Sequence, residues 1–295
     1  MTTDAEVYQR TVRAIKQDDW RIIGSLDTPL TGIQYDSRRI EPGNLFVAIC
    51  GEHSDGHAYI SQAIENGAVA VVHSLEWDRF SAMQSRYPEI VWIGVYDPRT
   101  ALAQCAMAFY ANPSVALAVI GITGTNGKTT TSYIIKSILE AWGRKVGLIG
   151  TVRYLIGNQM LDAPHTTPEA SDFQNLLRMM ADNGCSYVVS EVSSHALAQQ
   201  RVWGTIFKVA LFTNLTRDHL DYHKTMEDYF QAKRRLFVEL LAEDGLAVIN
   251  IDDQYGRRLA EQLRGDKSIG NGRLRVLTYG LQSRGADITA EQVLA

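Results

Sequence analysis

The run Gly121-Ile-Thr-Gly-Thr-Asn-Gly127-Lys128-Thr129-Thr130-Thr131 restricts the possible folds more than any other part of the chain. An apolar stretch, Val115–Ile120, precedes it and reads as a buried parallel strand. An amphipathic stretch follows, Thr130 to Trp142, with Tyr133, Ile134, Ile138 and Leu139 at helical spacing. A glycine-rich turn between a buried strand and a helix start is the setting of a phosphate-binding loop. Backbone N–H groups and the helix dipole meet there, and glycine lets a polyphosphate approach closely. Gly124, Thr125, Asn126, Gly127, Lys128, Thr129 and Thr130 are therefore the expected nucleotide contacts. Lys128 is expected to reach the terminal phosphates, and the Thr129 hydroxyl to ligate Mg²⁺. The strict G-x-x-x-x-G-K-[ST] spacing is missed, because Ile122 stands where the first glycine belongs, flanked by Gly121 and Gly124. The bland alternative is a glycine-rich strand-to-helix turn without function.

The pattern on either side of this loop sets the organisation. From Val115 onward strands and helices alternate, as in a doubly wound, mostly parallel sheet. Strands are expected at Val115–Ile120, Val146–Ile149, Tyr187–Glu191, Val209–Thr213, Leu246–Asn250 and Arg275–Thr278. Helices are expected at Thr130–Trp142, Pro168–Asn183, Thr225–Leu240 and Asp253–Leu263. Residues 1–112 read as a smaller mixed α/β domain, with strands at Gly32–Tyr35, Leu45–Ile49 and Ala68–Val72 and helices at His57–Asn66 and Thr100–Tyr110. The polar, proline-containing stretch Ala111-Asn112-Pro113-Ser114 marks the boundary, so the second domain is expected over 113–295.

At 295 residues the chain has room for two cores. Its net charge is −4, from 29 basic and 33 acidic residues, so no global field recruits nucleic acid. Cys50, Cys105 and Cys185 are odd in number and lack C-x-x-C spacing, which argues against a disulfide framework or a zinc site. No apolar run reaches the length of a membrane span, and Met1–Glu6 lacks the regions of a signal peptide. A cytoplasmic protein is the expectation, acting as a monomer on small anionic ligands.

Four further motifs carry chemistry. Tyr187-Val-Val-Ser-Glu191 is an apolar strand ending in a carboxylate, suited to Mg²⁺ beside a phosphate loop; alone it reads as a solvated strand end. Glu191-Val-Ser-Ser-His195 continues into a short helix opened by Ser194 and His195. Thr213-Asn-Leu-Thr-Arg-Asp218-His219-Leu-Asp221-Tyr-His223, after the apolar strand Val209 to Phe212, offers two carboxylates and two imidazoles, compatible with metal binding or with a loop rich in turn formers. Lys233, Arg234 and Arg235 lie on an expected helix, where the default is a solvated basic face.

Together these segments resemble the Mur ligase family of ATP-dependent peptidoglycan enzymes, and within it the MurE-type branch. The resemblance rests on Gly124–Thr130, His165-Thr-Thr-Pro-Glu169, Glu191–Leu197 with Arg201-Val202, Phe212-Thr-Asn-Leu215, Asp218–His223 and Ala232-Lys233. In the first domain Tyr35-Asp-Ser-Arg38, Pro42-Gly43, Leu45–Ala48 and Asp55-Gly-His57 are similar to the family's uridine-side signature. The resemblance implies ATP on the phosphate loop and Mg²⁺ at Thr129, Glu191 and His219. It also implies a carbamylated Lys233, with Lys128, Lys233 and His219 catalytic. His165, Thr166, Thr167, Ser193 and Arg201 would contact the muramoyl peptide, and Ser37 and Arg38 would lie near the uridine diphosphate. The implied reaction adds a diamino acid, meso-diaminopimelate or L-lysine, to UDP-N-acetylmuramoyl-L-alanyl-D-glutamate through an acyl phosphate.

The family pattern includes a third, C-terminal domain for the incoming amino acid, and the present sequence stops at Ala295. The central domain is therefore expected to be incomplete at its C-terminal end, and the chain alone is expected not to turn over. Rival readings are a folylpolyglutamate-synthase-like ligase, a simple P-loop NTPase and a non-catalytic UDP-muramoyl-peptide binding module. The Thr166-Thr-Pro-Glu169 motif and Lys233 favour the MurE-type branch over the NTPase and the binding module, and the segment around Asp36-Ser37-Arg38 favours it over the synthase.

Overall fold

A computed structural model of the chain describes residues 11, 20–25, 29–51, 54–283 and 285–290; Met1–Glu6, read above for a targeting signal, and residues 291–295 lie outside it. Two compact units emerge, Met1–Asn112 with Ala170–Asn175, and Pro113–Glu169 with Leu176–Ala295.

The first unit contains β1 (Arg21–Ile23), β2 (Gly32–Gln34), β3 (Asn44–Val47), α1 (Ile60–Glu65), β4 (Ala70–His73), α2 (Trp77–Arg86), β5 (Val91–Gly94) and α3 (Pro98–Phe109). Its sheet runs β1-β5-β4-β3-β2, parallel except for β1. Every residue of β3 and β4 is buried, as in a parallel sheet covered on both faces. Boundaries moved where capping overrode periodicity. The helix expected from His57 opens instead as a 3₁₀ turn, Gly56–Tyr59, capped by the Asp55 carboxylate. The helix expected from Thr100 starts at Pro98, because Asp97 caps it and proline suits the first helical position. Strands β1 and β5 and helix α2 are additional to those expected. They close the core on Phe46, Val71, Phe80 and Trp92.

The second unit contains β6 (Ala118–Thr123), α4 (Lys128–Ala141), β7 (Val146–Ile149), β8 (Tyr154–Ile156), β9 (Gln159–Leu161), α5 (Ala170–Asp182, its first turns in the first unit), β10 (Tyr187–Glu191), α6 (Ser194–Ala198), β11 (Phe207–Phe212), α7 (Leu220–His223), α8 (Met226–Val238), β12 (Leu241–Asn250), α9 (Gln254–Gly265), β13 (Arg275–Gly280) and β14 (Ile288–Thr289). Nine strands form one sheet in the order β14-β13-β12-β11-β6-β10-β7-β8-β9. It is parallel from β14 to β7, and β8 and β9 add an antiparallel edge. Strand β6 begins three residues later than expected, because Pro113–Val115 makes a 3₁₀ turn. Tyr133 and Leu139 of α4 pack on the core, whereas Ile134 and Ile138 are exposed. The carboxyl ends of β6, β10 and β11 are adjacent, the position where parallel sheets collect ligands.

Gly121 lies midway along β6, where an added Cβ would come within 2.7 Å of the Phe207 ring and 3.2 Å of Leu236. Both side chains are fully buried and cannot swing away. Gly121→Ala is expected to destabilise the second unit by about 1–3 kcal/mol, read as a lower urea midpoint. A second expectation concerns His73, which stacks on Phe80 at 4.9 Å. Burial pushes its pKa down to about 4 from 6.5. The unfolded chain then takes up a proton that the folded chain refuses, so stability is full above pH 6.5 and falls as pH drops toward 4. The loss amounts to at most about 3 kcal/mol, and His73→Phe is expected to flatten the acid limb of stability against pH.

Candidate functional site

The loop between β6 and α4 is shaped by two glycines with positive φ, Gly124 at 146° and Gly127 at 85°. A Cβ on Gly124 would lie 1.9 Å from the Thr213 hydroxyl, so only glycine permits this approach. The loop is braced by the segment after β11. Thr125 N–H donates to the Asn214 carbonyl (2.8 Å), Asn126 N–H to Asn214 Oδ1 (3.0 Å), and Thr213 Oγ1 to the Asn126 carbonyl (2.7 Å). Thr216 N–H donates to Thr125 Oγ1 at 3.0 Å. The amides of Thr125 and Asn126 are thus committed to fixing the loop. The first-turn amides of α4, at Lys128, Thr129 and Thr130, have no carbonyl one turn back within the helix and are the anion-binding edge. Lys128 Nζ folds back onto the loop, donating to the carbonyls of Gly124 and Thr125 at 2.9 Å each. Burial holds its pKa below the usual lysine value, against the pull of Glu191 and Asp218.

Glu191, at the end of β10, is fully buried rather than a solvated strand end. Its Oε2 accepts from Thr129 Oγ1 (2.9 Å) and Thr151 Oγ1 (3.0 Å), and its Oε1 from Thr151 N–H (3.1 Å). Gly150 makes room, since a Cβ there would lie 2.3 Å from Oε1. No ion pair among the described residues includes Glu191. A buried carboxylate that meets only neutral donors, next to a threonine hydroxyl at a phosphate loop, is a donor set that fits Mg²⁺.

Lys233 is 1% exposed, which corrects the reading of residues 233–235 as a solvated basic face. The helical period of α8 turns Lys233 inward with Tyr229, Phe230 and Leu236. Arg234 bonds Gln262, and Arg235 bonds the Leu197 carbonyl. Lys233 Nζ donates to the same Gly124 carbonyl as Lys128, at 2.9 Å, and lies 4.6 Å from the centre of the Tyr229 ring. Burial, with the neighbouring Lys128 charge, holds its pKa well below 10.5. Tyr229 OH in turn meets Thr125 Oγ1 at 3.2 Å. Beside Tyr229 stands a cluster of imidazoles. His219, in the left-handed region at φ 52°, lies 6.1 Å from its ring centre and His223 lies 5.1 Å from it, while His195 is 4.9 Å from His219. His223 Nε2 meets Ser194 Oγ at 2.8 Å, and burial pushes its pKa down to about 4.

The expected muramoyl-peptide contacts form a second constellation on this unit. Thr166 Oγ1 lies 3.1 Å from Thr151 Oγ1. Thr167 Oγ1 donates to the Glu191 carbonyl (2.9 Å) and accepts from Ser193 N–H (3.1 Å). Arg201 donates to the Thr167 carbonyl (3.0 Å) and pairs with Glu169 at 2.9 Å. His165 is exposed, and its carbonyl accepts from Tyr154 OH at 2.5 Å. In the first unit Ser37 is buried and bonds Gln62 (2.8 Å), while exposed Arg38 forks onto Asp36. Gly150, Thr151 and Tyr229 were given no role from sequence, and Thr213 and Asn214 were named there as part of a segment without the bracing role they have here. Gly150-Thr151 follows the apolar strand Val146–Ile149, so the carboxyl-end rule that selected Glu191 also selects Thr151.

Comparison with known proteins agrees with this geometry. A family model described as "Mur ligase middle domain" matches residues 122–295, and one described as "Mur ligase family, catalytic domain" matches residues 29–110. A Geobacter metallireducens protein named UDP-N-acetylmuramoyl-L-alanyl-D-glutamate–2,6-diaminopimelate ligase is 49% identical over 243 residues, covering 80% of this chain and 46% of that protein. A Geobacter sulfurreducens protein of the same name is 44% identical over 282 residues, covering 94% and 52%. The solved structure of a ligase with that name superposes with a TM-score of 0.72 at 30% identity, over 88% of this chain and 50% of its own. MurF from Thermotoga maritima, solved with ADP, shares the fold at a TM-score of 0.53 and 22% identity, over 87% of this chain and 52% of its own. The chain spans about half the length of the relatives it matches.

The burial of Lys233 carries a stability prediction. Lys233→Met, which keeps length and removes the amine, is expected to leave the urea midpoint of the second unit unchanged or to raise it, by up to about 2 kcal/mol. A drop of that size would mean that the Gly124 bond outweighs desolvation.

Proposed function

The chain belongs to the Mur ligase family, and on that premise we propose that it serves the ATP-dependent addition of a diamino acid to UDP-N-acetylmuramoyl-L-alanyl-D-glutamate. The names of the relatives favour 2,6-diaminopimelate as the amino acid added. The observation that carries this reading is the convergence of Lys128 and Lys233 on one carbonyl, with Thr129 linking the same loop to buried Glu191. We take residues 1–112 as the uridine diphosphate side, through Ser37 and Arg38, and 113–295 as the ATP side. We further propose that it works as a cytoplasmic monomer; no helix among the described residues is long and apolar enough to cross a membrane.

In the proposed reaction a D-glutamate carboxylate oxygen attacks the γ-phosphorus of ATP, the bond to the β,γ-bridging oxygen breaks, and ADP leaves with an acyl phosphate formed. The amine of the diamino acid then attacks the acyl carbon, phosphate departs with the bonding pair, and the amine loses a proton to give the amide. Thr129 and Glu191, with His219 as a further candidate ligand, would hold Mg²⁺, which would supply charge neutralisation at the phosphates. Lys128 swings from the Gly124 carbonyl to the phosphate oxygens, and the first-turn amides of α4 fix the polyphosphate. Thr166, Thr167, Ser193 and Arg201, with His165 beside them, hold the peptide so that its carboxylate faces the phosphorus. Lys233 is proposed to add CO₂: its neutral amine forms the N–C bond, one proton leaves, and the carbamate anion replaces a charge that would repel Mg²⁺.

Calorimetric titration tests the assignment. UDP-N-acetylmuramoyl-L-alanyl-D-glutamate is expected to bind at least about tenfold more tightly than the same molecule without D-glutamate, equivalent to about 1.4 kcal/mol. Equal affinity for the two would remove the D-glutamate reading. Lys128→Met is expected to abolish ATP binding while leaving binding of the UDP ligand intact.

A further inference from the structure

We propose that Cys50, Asp55 and His57 form a binding site for a thiophilic divalent cation of the Zn²⁺ type. They are the one group of three or more His, Cys, Asp or Glu residues among those described whose ligand atoms all lie within 4.8 Å of one another. Cys50 Sγ is 3.4 Å from Asp55 Oδ1 and 3.8 Å from His57 Nδ1, and Nδ1 and Oδ1 are 2.6 Å apart. Around a tetrahedral zinc, with Zn–S about 2.3 Å and Zn–N or Zn–O about 2.0 Å, the edges to sulfur are about 3.5 Å and the N···O edge about 3.3 Å. The Cys50–Asp55 edge already has coordination length, and the Cys50–His57 edge closes by about 0.3 Å. The third opens by about 0.7 Å once a cation replaces the hydrogen bond that now closes it.

The backbone holds the three ligands in place. Cys50 and Asp55 face each other in an isolated antiparallel bridge, closed by Gly51 N–H to the Ser54 carbonyl (2.8 Å) and Gly56 N–H to the Ile49 carbonyl (2.9 Å). A Cβ on Gly56 would lie 2.6 Å from that Ile49 oxygen, so the glycine lets the two arms meet. The His57 side chain is 4% exposed, whereas that of Asp55 is 48% exposed and Cys50 is exposed.

The protons identify what a cation would displace. Ser74 N–H donates to His57 Nε2 at 3.0 Å, so the ring proton sits on Nδ1 and points at Asp55 Oδ1, as does the thiol proton of Cys50. On binding, the thiol proton goes to solvent and the imidazole proton moves from Nδ1 to Nε2, where Ser74 Oγ at 3.3 Å accepts it. Thiolate and carboxylate then balance the two positive charges. Burial and Asp55 keep the Cys50 pKa above its usual value against the opposing Arg99 guanidinium, which also donates to the Cys50 carbonyl at 3.2 Å. Ser74 N–H loses its acceptor, which makes the site weaker than a closed structural zinc site. The site does not depend on the ligase reading of the second unit.

Co²⁺ titration of the purified chain under reducing conditions tests the proposal. The expected result is one sulfur-to-cobalt charge-transfer band in the near ultraviolet, intense visible bands of a four-coordinate ion, release of one proton per cation, and displacement by Zn²⁺. The band is expected to vanish in Cys50→Ser and the affinity to fall by at least about tenfold in Asp55→Asn. Cys105 and Cys185 are buried and serve as internal controls. A six-coordinate aqua-ion spectrum with the unmodified chain, or a band that survives Cys50→Ser, overturns the proposal. Because Cys50 is exposed, matched melting curves will show that Cys50→Ser is folded.

Discussion

One carbonyl oxygen, that of Gly124, receives two lysine amines inside the protein. Two ammonium groups on one acceptor in a low-dielectric setting are mutually unfavourable, and the arrangement stands because the rest of the second unit fixes it. Gly124 itself is pressed against Thr213, Thr125 and Asn126 are tied to Asn214, and Tyr229 supports Lys233 from the opposite side. The loop is built rigid before any ligand arrives, so little ordering remains to be done on binding. Burial holds both amines below the ordinary lysine pKa, and the Lys128 charge lowers that of Lys233 further. An unfavourable charge pair maintained by surrounding structure is the pattern of a functional site rather than of a stabilising one.

Glu191 follows the same logic with the opposite sign. A carboxylate fully removed from water, satisfied by two threonine hydroxyls and one amide, lacks a counter-charge of its own. The central strands of the parallel sheet bring their carboxyl ends together and so set this anion close enough to Lys128 to pull its pKa up against burial. Topology alone creates that neighbourhood, because β10 and β11 flank β6 although neither is its neighbour in sequence.

Much of this was legible in the chain. Tyr187–Glu191 and Val146–Ile149 were placed to the residue, because a continuous apolar run bounded by turn formers has one reading in an alternating α/β pattern. The phosphate loop was legible because glycine, lysine and threonine occupy positions that only backbone geometry and phosphate chemistry require. Other features were not. Lys233 read as one of three consecutive basic residues, and only the packing of α8 shows which of the three points inward. The hairpin of β8 and β9 escaped because its strands are three residues each, too short for periodicity to register. Thr151 matters through a residue 40 positions away, a distance that no local pattern encodes.

The position of β6 has a consequence for how the protein is made. It is the first strand of the second unit to be synthesised, yet it ends between β10 and β11, which begin more than sixty residues further along the chain. At ribosomal elongation rates of about 5–20 residues per second, this apolar strand waits several seconds with both edges unpaired. During that interval Ala118–Thr123 offers open backbone to any other nascent strand. The strand that leads into the phosphate loop therefore stays open at both edges until its neighbours arrive.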